Sequence, residues 1–516
     1  MTEWTPDGLK ALVTEKLDGR PFVVVANRQP YEHYFEGEEI RWKEPASGVT
    51  TALDPILRAA GGTWIGHGGG DADRAVVDAD DVVRVPPDAP AYALKRVWLS
   101  KEEEDGYYYG FANQALWPLC HIAHERPTFN DAHWSHYAAV NAKFADAVAQ
   151  VVGDGPSFVF VQDYHYALLP RLIKERRPNA VVAQFWHIPW PNAEAFRICP
   201  WKKEILEGLL GNDLLGFHIQ NHCNNFLNTI DRELEARLDR ERFAVYFHDR
   251  PTFVRPFPIS VDFDGTAAEA DSPAVVEEMK ALRRRYDLRD RIVGVGIDRM
   301  DYTKGIPERL TAIDRFLTRH PEQRGKFVFI QVGVPSRVHI PAYKALGDRV
   351  QGLVDQINWR HGRDRWRPIV YLPEHHGRRS LAALYRLARF CMVTSLHDGM
   401  NLVAKEFVAS RTDGDGVLIL SRFTGAAEQL DGDALLVNPY ATDALGEAIA
   451  EAVAMPEAER RRRMTKLRQQ VAEHNVYRWA GSILEELTRI GGRAGPASPR
   501  PAPAGSRLEE LTPVGR

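Results

Sequence analysis

The sequence predicts an α/β protein built on doubly wound parallel sheets. Two observations carry that reading. Apolar runs of strand length alternate with helical stretches along most of the chain, the rhythm of parallel βαβ units. In addition, Ser395-Leu396-His397-Asp398-Gly399-Met400-Asn401-Leu402-Val403-Ala404-Lys405-Glu406 follows an apolar run and reads as strand end, tight turn and helix start. A chain of 516 residues has room for two or more such cores.

Taken in order, residues 1–20 read as a short polar helix and 22–26 as the first strand, with Asn27-Arg28 at its C-terminal end. Residues 31–45 are polar, a loop or hairpin, and Ser47-Gly48 opens a helix through Arg58. Ligands of open α/β sheets collect at strand C-termini, which makes Arg28 and Gly48 candidate contacts. Residues 61–66 form the next strand. Tyr107-Tyr108-Tyr109-Gly110-Phe111 and Leu116-Trp117-Pro118 make an aromatic cluster, a core pattern that sugar sites also use. A long amphipathic helix over 134–152 leads to strand 158–162, which ends at Asp163-Tyr164-His165. Strand 183–186 ends at His187-Ile188-Pro189. Strand 214–218 and a helix through Leu234 follow, and 254–261 leads out of the first half.

The second half repeats the rhythm, with strands at 292–297, 327–332, 369–372, 390–394 and 417–420. Arg299 and Lys304 follow the first of these strands, and Arg337 follows the second. The turn at Asp398-Gly399 begins a helix whose free amides and dipole favour an anion, Gly399 would let a phosphate approach the backbone, and Glu406 stands further along to meet ribose hydroxyls. Arg299 and Lys304 facing that helix start would clamp a diphosphate, the guanidinium as a fork and the ammonium as a point charge. Residues 442–490 are helical and charged, and the tail over 491–516, rich in Gly, Pro and Ala, has the composition of a disordered segment.

Several other classes are set aside. A net charge of −4 argues against nucleic-acid binding. No apolar run reaches membrane-spanning length, and the N-terminus lacks a signal-peptide pattern. The four cysteines are scattered, as in a reducing cytoplasm. His67-Gly68-Gly69-Gly70 looks like a lipase oxyanion loop but lacks a nucleophile elbow. Asp71-Ala72-Asp73 could pass for a metal-binding pair but reads better as a solvated loop. Asp262-Phe263-Asp264-Gly265-Thr266 looks like a phosphatase signature but sits where two domains connect.

Seven motifs in order resemble the trehalose-6-phosphate synthase family, from about Phe22 to Glu486: Asn27-Arg28; Gly62-Thr63-Trp64; Tyr108 with Leu116-Trp117-Pro118; Asp163-Tyr164-His165; His187-Ile188-Pro189; Arg299-x-Asp301-Tyr302-x-Lys304-Gly305; and Asp398 through Glu406. The resemblance implies a GT-B architecture, two Rossmann-like domains facing across a cleft. It divides the chain at 1–260 for acceptor binding, 261–475 for the nucleotide sugar, a terminal helix at 476–490 expected to cross back to the first domain, and a tail at 491–516. It implies a retaining glucosyl transfer from a nucleotide-glucose, UDP-glucose first, to glucose 6-phosphate in the cytoplasm, with no cofactor, metal, nucleic acid or membrane, and with a homo-oligomer as the possible assembly.

By the same resemblance, His187, Arg299, Lys304 and Asp163 serve catalysis. Gly48, Arg299, Lys304, Asp398, Gly399, Met400, Asn401, Leu402, Val403 and Glu406 bind the donor. Arg28, Trp64, Tyr108, Trp117, Asp163 and Arg337 bind the acceptor. The chain departs from the family where Val49 follows Gly48, where His397 replaces an arginine, and where Asn27-Arg28 continues Gln29-Pro30-Tyr31. The last departure resembles the related glucosylglycerol-phosphate synthases and keeps glycerol 3-phosphate as an alternative acceptor.

Overall fold

The structure, a computed structural model, describes residues 4–45, 50, 53–54, 56–58, 61–122, 124–248 and 250–492. Gly48 and the tail from residue 493 lie outside them.

The first half is organised on a ten-stranded sheet. Its strands run in the order Arg237–Asp239, Ala244–Phe247, Arg250–Pro256, Leu214–Phe217, Ala180–Phe185, Ser157–Gln162, Phe22–Arg28, Thr63–His67, Tyr92–Val97 and Val82–Val85. Every pair from Arg250–Pro256 to Tyr92–Val97 is parallel. The two strands before that block and the one after it pair antiparallel. The central strands are apolar on both faces because helices cover both. Ser157–Gln162 is buried at every position. The sequence order jumps at Phe22–Arg28, between Ser157–Gln162 on one side and Thr63–His67 on the other, which opens the crevice of a doubly wound sheet at the end carrying Arg28 and Asp163.

The second half holds a six-stranded, wholly parallel sheet in the order Ile369–Leu372, Phe327–Val334, Ile292–Arg299, Phe390–Val393, Val417–Ser421 and Leu435–Val437. Its order reverses between Ile292–Arg299 and Phe390–Val393. Arg299 and the turn at Asp398 therefore leave neighbouring strands at the same edge.

Some elements differ from the sequence expectation. The first helix, Pro6–Leu17, is not merely polar: Leu9, Leu12, Val13 and Leu17 are buried, and it packs on the final helix, Val476–Gly491. The segment expected as an aromatic cluster is a twelve-residue π-helix, Asp105–Leu116. The edge strands at 82–97 and the antiparallel run at 237–247 have no counterpart in the sequence reading. The Asp262 motif is a helix cap, its carboxylate accepting from the Gly265 amide at 3.1 Å. Asp73 is equally committed. It accepts from the Gln29 amide at 2.5 Å, from the His33 and Gly70 backbone amides at 2.8 Å each, and from Arg96 at 2.9 Å.

The chain passes between the halves in residues 257–262 and returns near Asn475. The two crossings lie side by side, joined by the Val476 amide donating to the Val261 carbonyl at 3.0 Å. The final helix then lies on the first half. Asn475 donates to the Trp4 carbonyl at 2.9 Å, and Trp479 packs edge-on against Phe185 with ring centroids 5.2 Å apart.

Candidate active site

Between the two sheets lies a cavity of about 830 Å³. Arg28, Tyr108, Trp117, Asp163, His187, Arg299, Lys304, Arg337, Asp398, Met400, Asn401, Leu402, Val403 and Glu406 all line it. Twelve of these come from six strand ends and the loops and helices that follow them; Tyr108 comes from the π-helix and Trp117 from the short helix that continues it. A second pocket of about 320 Å³ shares Arg28, Tyr108, Arg299 and Arg337 with it.

One wall is cationic. Arg28 donates to the Tyr108 hydroxyl at 3.2 Å. Arg337, at φ +51°, donates to the Tyr343 hydroxyl at 2.6 Å and to the buried Asp301 carboxylate at 3.3 Å. Its guanidinium lies 4.3 Å from the centre of the Trp117 ring, and that of Arg299 lies 5.9 Å from it. Trp117 is thus a platform for two arginines. Burial alone would raise the Tyr108 phenol, but the charges of Arg337, Arg28 and Arg299 overrule it and bring it down to about 7. A pocket that stabilises a phenolate among three guanidiniums is built for an anion.

At the floor, Asp163 has φ +74° and ψ 174°, a region that side chains other than glycine avoid. The conformation is held because its carboxylate accepts from the Tyr164 amide at 2.9 Å and the His187 amide at 3.1 Å. Burial pushes this carboxyl up to about 7 against those hydrogen bonds and the pull of Arg337 and Arg299. The His187 imidazole, 2.9 Å from the Gln162 side-chain oxygen, is held down to about 3 by burial, so it is neutral near pH 7.

The opposite wall is the 398–406 segment. Its helix begins at Leu402, not at the Asp398 turn. Asn401, at φ +79°, precedes it, and no side chain caps its first turn. Asp398 is instead bound to Lys304 at 2.5 Å and accepts from Ser395 at 3.1 Å and Asn401 at 3.2 Å. Burial opposes the charge on Asp398, yet the Lys304 ammonium holds it well below the usual carboxylate range. Further along, Glu406 accepts from the Tyr385 hydroxyl at 3.1 Å, and burial raises its carboxyl.

Two expectations need correction. Gly399 does not line the cavity: a Cβ there would stand 2.3 Å from the His187 carbonyl, so the glycine lets the two halves touch. Trp64 lies behind the strand end, fully buried, with its indole donating to the Arg28 carbonyl at 3.1 Å. The Gln29-Pro30-Tyr31 departure also turns inward. Gln29 binds Asp73 and accepts from Arg96 at 2.8 Å, and the Tyr31 hydroxyl donates to Asp54 at 2.9 Å. The His397 departure reaches across the cleft and donates to the His121 carbonyl at 2.7 Å, and the Val49 departure lies outside the described residues.

The sequence reading did not single out His121, Tyr343 or Lys405. Each acts on residues distant in the chain, and only a spacing-independent cue, a polar residue in an apolar run, could have flagged them. Among the described residues, no cluster of three or more His, Cys, Asp or Glu side chains could hold a metal ion, and no helix is long and apolar enough to cross a membrane.

The chain matches glycosyltransferase family 20 over residues 20–489. It is 38% identical over 501 residues to the trehalose-6-phosphate synthase of Mycobacterium avium, covering 95% of this chain and 100% of that one. It is 40% identical over 476 residues to the bifunctional trehalose-6-phosphate synthase/phosphatase of Thermoproteus tenax, covering 90% of this chain but only 63% of that protein. Among solved structures, the UDP-forming α,α-trehalose-phosphate synthase of Burkholderia xenovorans, in complex with glucose 6-phosphate, superposes with TM-score 0.81 at 30% identity over 90% of this chain and 99% of that one. A trehalose-6-phosphate enzyme of E. coli bound with UDP-2-fluoro glucose gives TM-score 0.81 at 29% identity over 91% and 99%.

Proposed function

The chain belongs to glycosyltransferase family 20 and has its GT-B architecture, and from that premise we propose that it transfers glucose from UDP-glucose to glucose 6-phosphate with retention, giving α,α-trehalose 6-phosphate. The observation that carries this reading is the pairing of walls in one cavity: three arginines around Tyr108 and Trp117 on one side, and an uncapped helix start with Glu406 on the other.

In this reading Arg28, Tyr108 and Arg337 take the acceptor phosphate, and Trp117 and Asp163 contact its sugar. Arg299, Lys304 and the amides of Leu402 and Val403 hold the donor diphosphate, Glu406 the ribose. Lys304 and Asp398 are partners of each other in the structure. The incoming donor separates their tasks: the ammonium turns to the diphosphate and the carboxylate to a hydroxyl of the donor glucose. The neutral His187 imidazole faces that glucose without adding charge.

Carboxylates do line the cavity, but the three that matter are assigned elsewhere in this reading, Asp163 to the acceptor sugar, Asp398 to Lys304 and the donor glucose and Glu406 to the ribose, which leaves no nucleophile and acid pair of the kind a retaining glycosidase needs. The acceptor hydroxyl therefore attacks the anomeric carbon on the face from which the diphosphate leaves. The bond from that carbon to the diphosphate oxygen breaks, the bond to the acceptor oxygen forms, and the hydroxyl proton passes to the departing diphosphate oxygen. Arg299, Lys304 and the helix amides stabilise the charge that grows there.

The test is a grid of UDP-, ADP- and GDP-glucose against glucose 6-phosphate and glycerol 3-phosphate, with EDTA present. Trehalose 6-phosphate from the UDP-glucose and glucose 6-phosphate pair is expected. Product from glycerol 3-phosphate alone would establish the glucosylglycerol-phosphate alternative, and ligand binding without product would make the protein a sensor.

A further inference from the structure

Lys405 follows the amides of the donor wall but does not line the cavity. It is 1% exposed, and no carboxylate among the described residues pairs with it. Its ammonium donates to the Ile259 carbonyl at 2.7 Å and to the Gln429 side-chain oxygen at 2.6 Å. Burial pushes its amine down to about 7. A buried lysine without a counter-charge is costly and persists only where its hydrogen bonds are needed.

Both partners lie at informative places. Ile259 belongs to the 257–262 crossing between the halves, and Val261 of that crossing also receives the Val476 amide of the return crossing. Gln429 follows the segment that braces the donor turn from behind. There the Gly425 amide donates to the Asp398 carbonyl at 3.3 Å and the Ala426 amide to the Met400 carbonyl at 3.0 Å. Helix Leu402–Ser410 therefore has one side chain that ties it both to the crossing and to the brace.

We propose that Lys405 is a positioning residue for the donor: by anchoring helix Leu402–Ser410 to the crossing at Ile259 and the brace at Gln429, it sets where the Leu402 and Val403 amides and the Glu406 carboxylate meet the nucleotide. This rests on the donor site proposed above. It makes donor affinity depend on a side chain outside the cavity wall.

The experiment compares wild type with Lys405→Met, which keeps the stem and removes the donors. Readouts are the Kd for UDP by calorimetry, the KM for each substrate, and the melting temperature. The UDP Kd and the donor KM should rise at least about tenfold, the equivalent of one charge-assisted hydrogen bond, while the acceptor KM stays put. A folded variant with lowered melting temperature but wild-type UDP affinity would reduce Lys405 to a structural role and overturn the proposal. If Lys405→Met does not fold, Gln429→Leu, which removes one acceptor, decides by the same readouts. Wild-type protein that fails to bind UDP would overturn the donor site itself, and this inference with it.

Discussion

Tyr108 is the residue whose chemistry this site alters most visibly. Because three guanidiniums face it, its phenolate should titrate near pH 7 in protein measured without added substrate, seen as a near-ultraviolet phenolate signal absent from Tyr108→Phe. A phosphate acceptor competes for the same cations, so glucose 6-phosphate should move that midpoint upward. Arg299→Ala and Lys304→Ala should each fold normally and lose turnover by a factor of roughly a hundred to a thousand, since one preorganised contact to developing charge is worth about 2.7–4 kcal/mol; single-turnover assays measure it. At this scale the sequence revealed the charged groups well, because Arg28, Asp163, His187 and Arg299 all sit where a strand ends. It did not reveal their neighbours. A turn glycine such as Gly399 looks the same in sequence whether it faces a phosphate or a carbonyl. Asp398 and Lys304 gave no sign of being partners across ninety-odd residues of chain, because an ion pair leaves no periodic mark.

Helix Val476–Gly491 shows what an element adds. It buries Trp479 against Phe160 and Phe185, with the His187 ring 6.3 Å from the indole. Gly481 is the position over which Trp4 lies, and a Cβ there would come within 2.0 Å of that indole. Trp479→Ala should cost about 3–5 kcal/mol in denaturant unfolding, the usual range for emptying a tryptophan site. The apolar face of this helix was hidden in the sequence by its charged outer face. The same masking explains the edge strands: Val82–Val85 and Arg237–Asp239 are half-exposed and carry charges, so they lack the continuous apolar run that exposed the central strands. The π-helix at Asp105–Leu116 has a period that neither helical nor strand patterning would reveal.

For the whole molecule, buried titratable groups set the pH response. Burial holds His121, His187 and His222 each down to about 3. The unfolded chain binds their protons first as pH falls below about 6.5, so stability contributed by their neutral forms is lost between there and about 3. Asp163 acts in the opposite sense. Its carboxyl is raised to about 7, so its contribution is full below the ordinary aspartate range and is lost as pH rises through 7. Burial also lowers His165 and His218 and raises the Asp298 and Glu406 carboxyls, so the imidazoles still outnumber the carboxyls, and the melting temperature should fall as pH drops from 7 to 4, more steeply in Asp163→Asn, which lacks one opposing group. The side-by-side crossings at Val261 and Val476 have a mechanical consequence. Two adjacent, hydrogen-bonded pivots permit the halves to swing about the line through them but resist shear and twist. A pair of spectroscopic labels, one per half, would therefore report a single angle, with the mouth of the cleft travelling farthest and the hinge side scarcely at all.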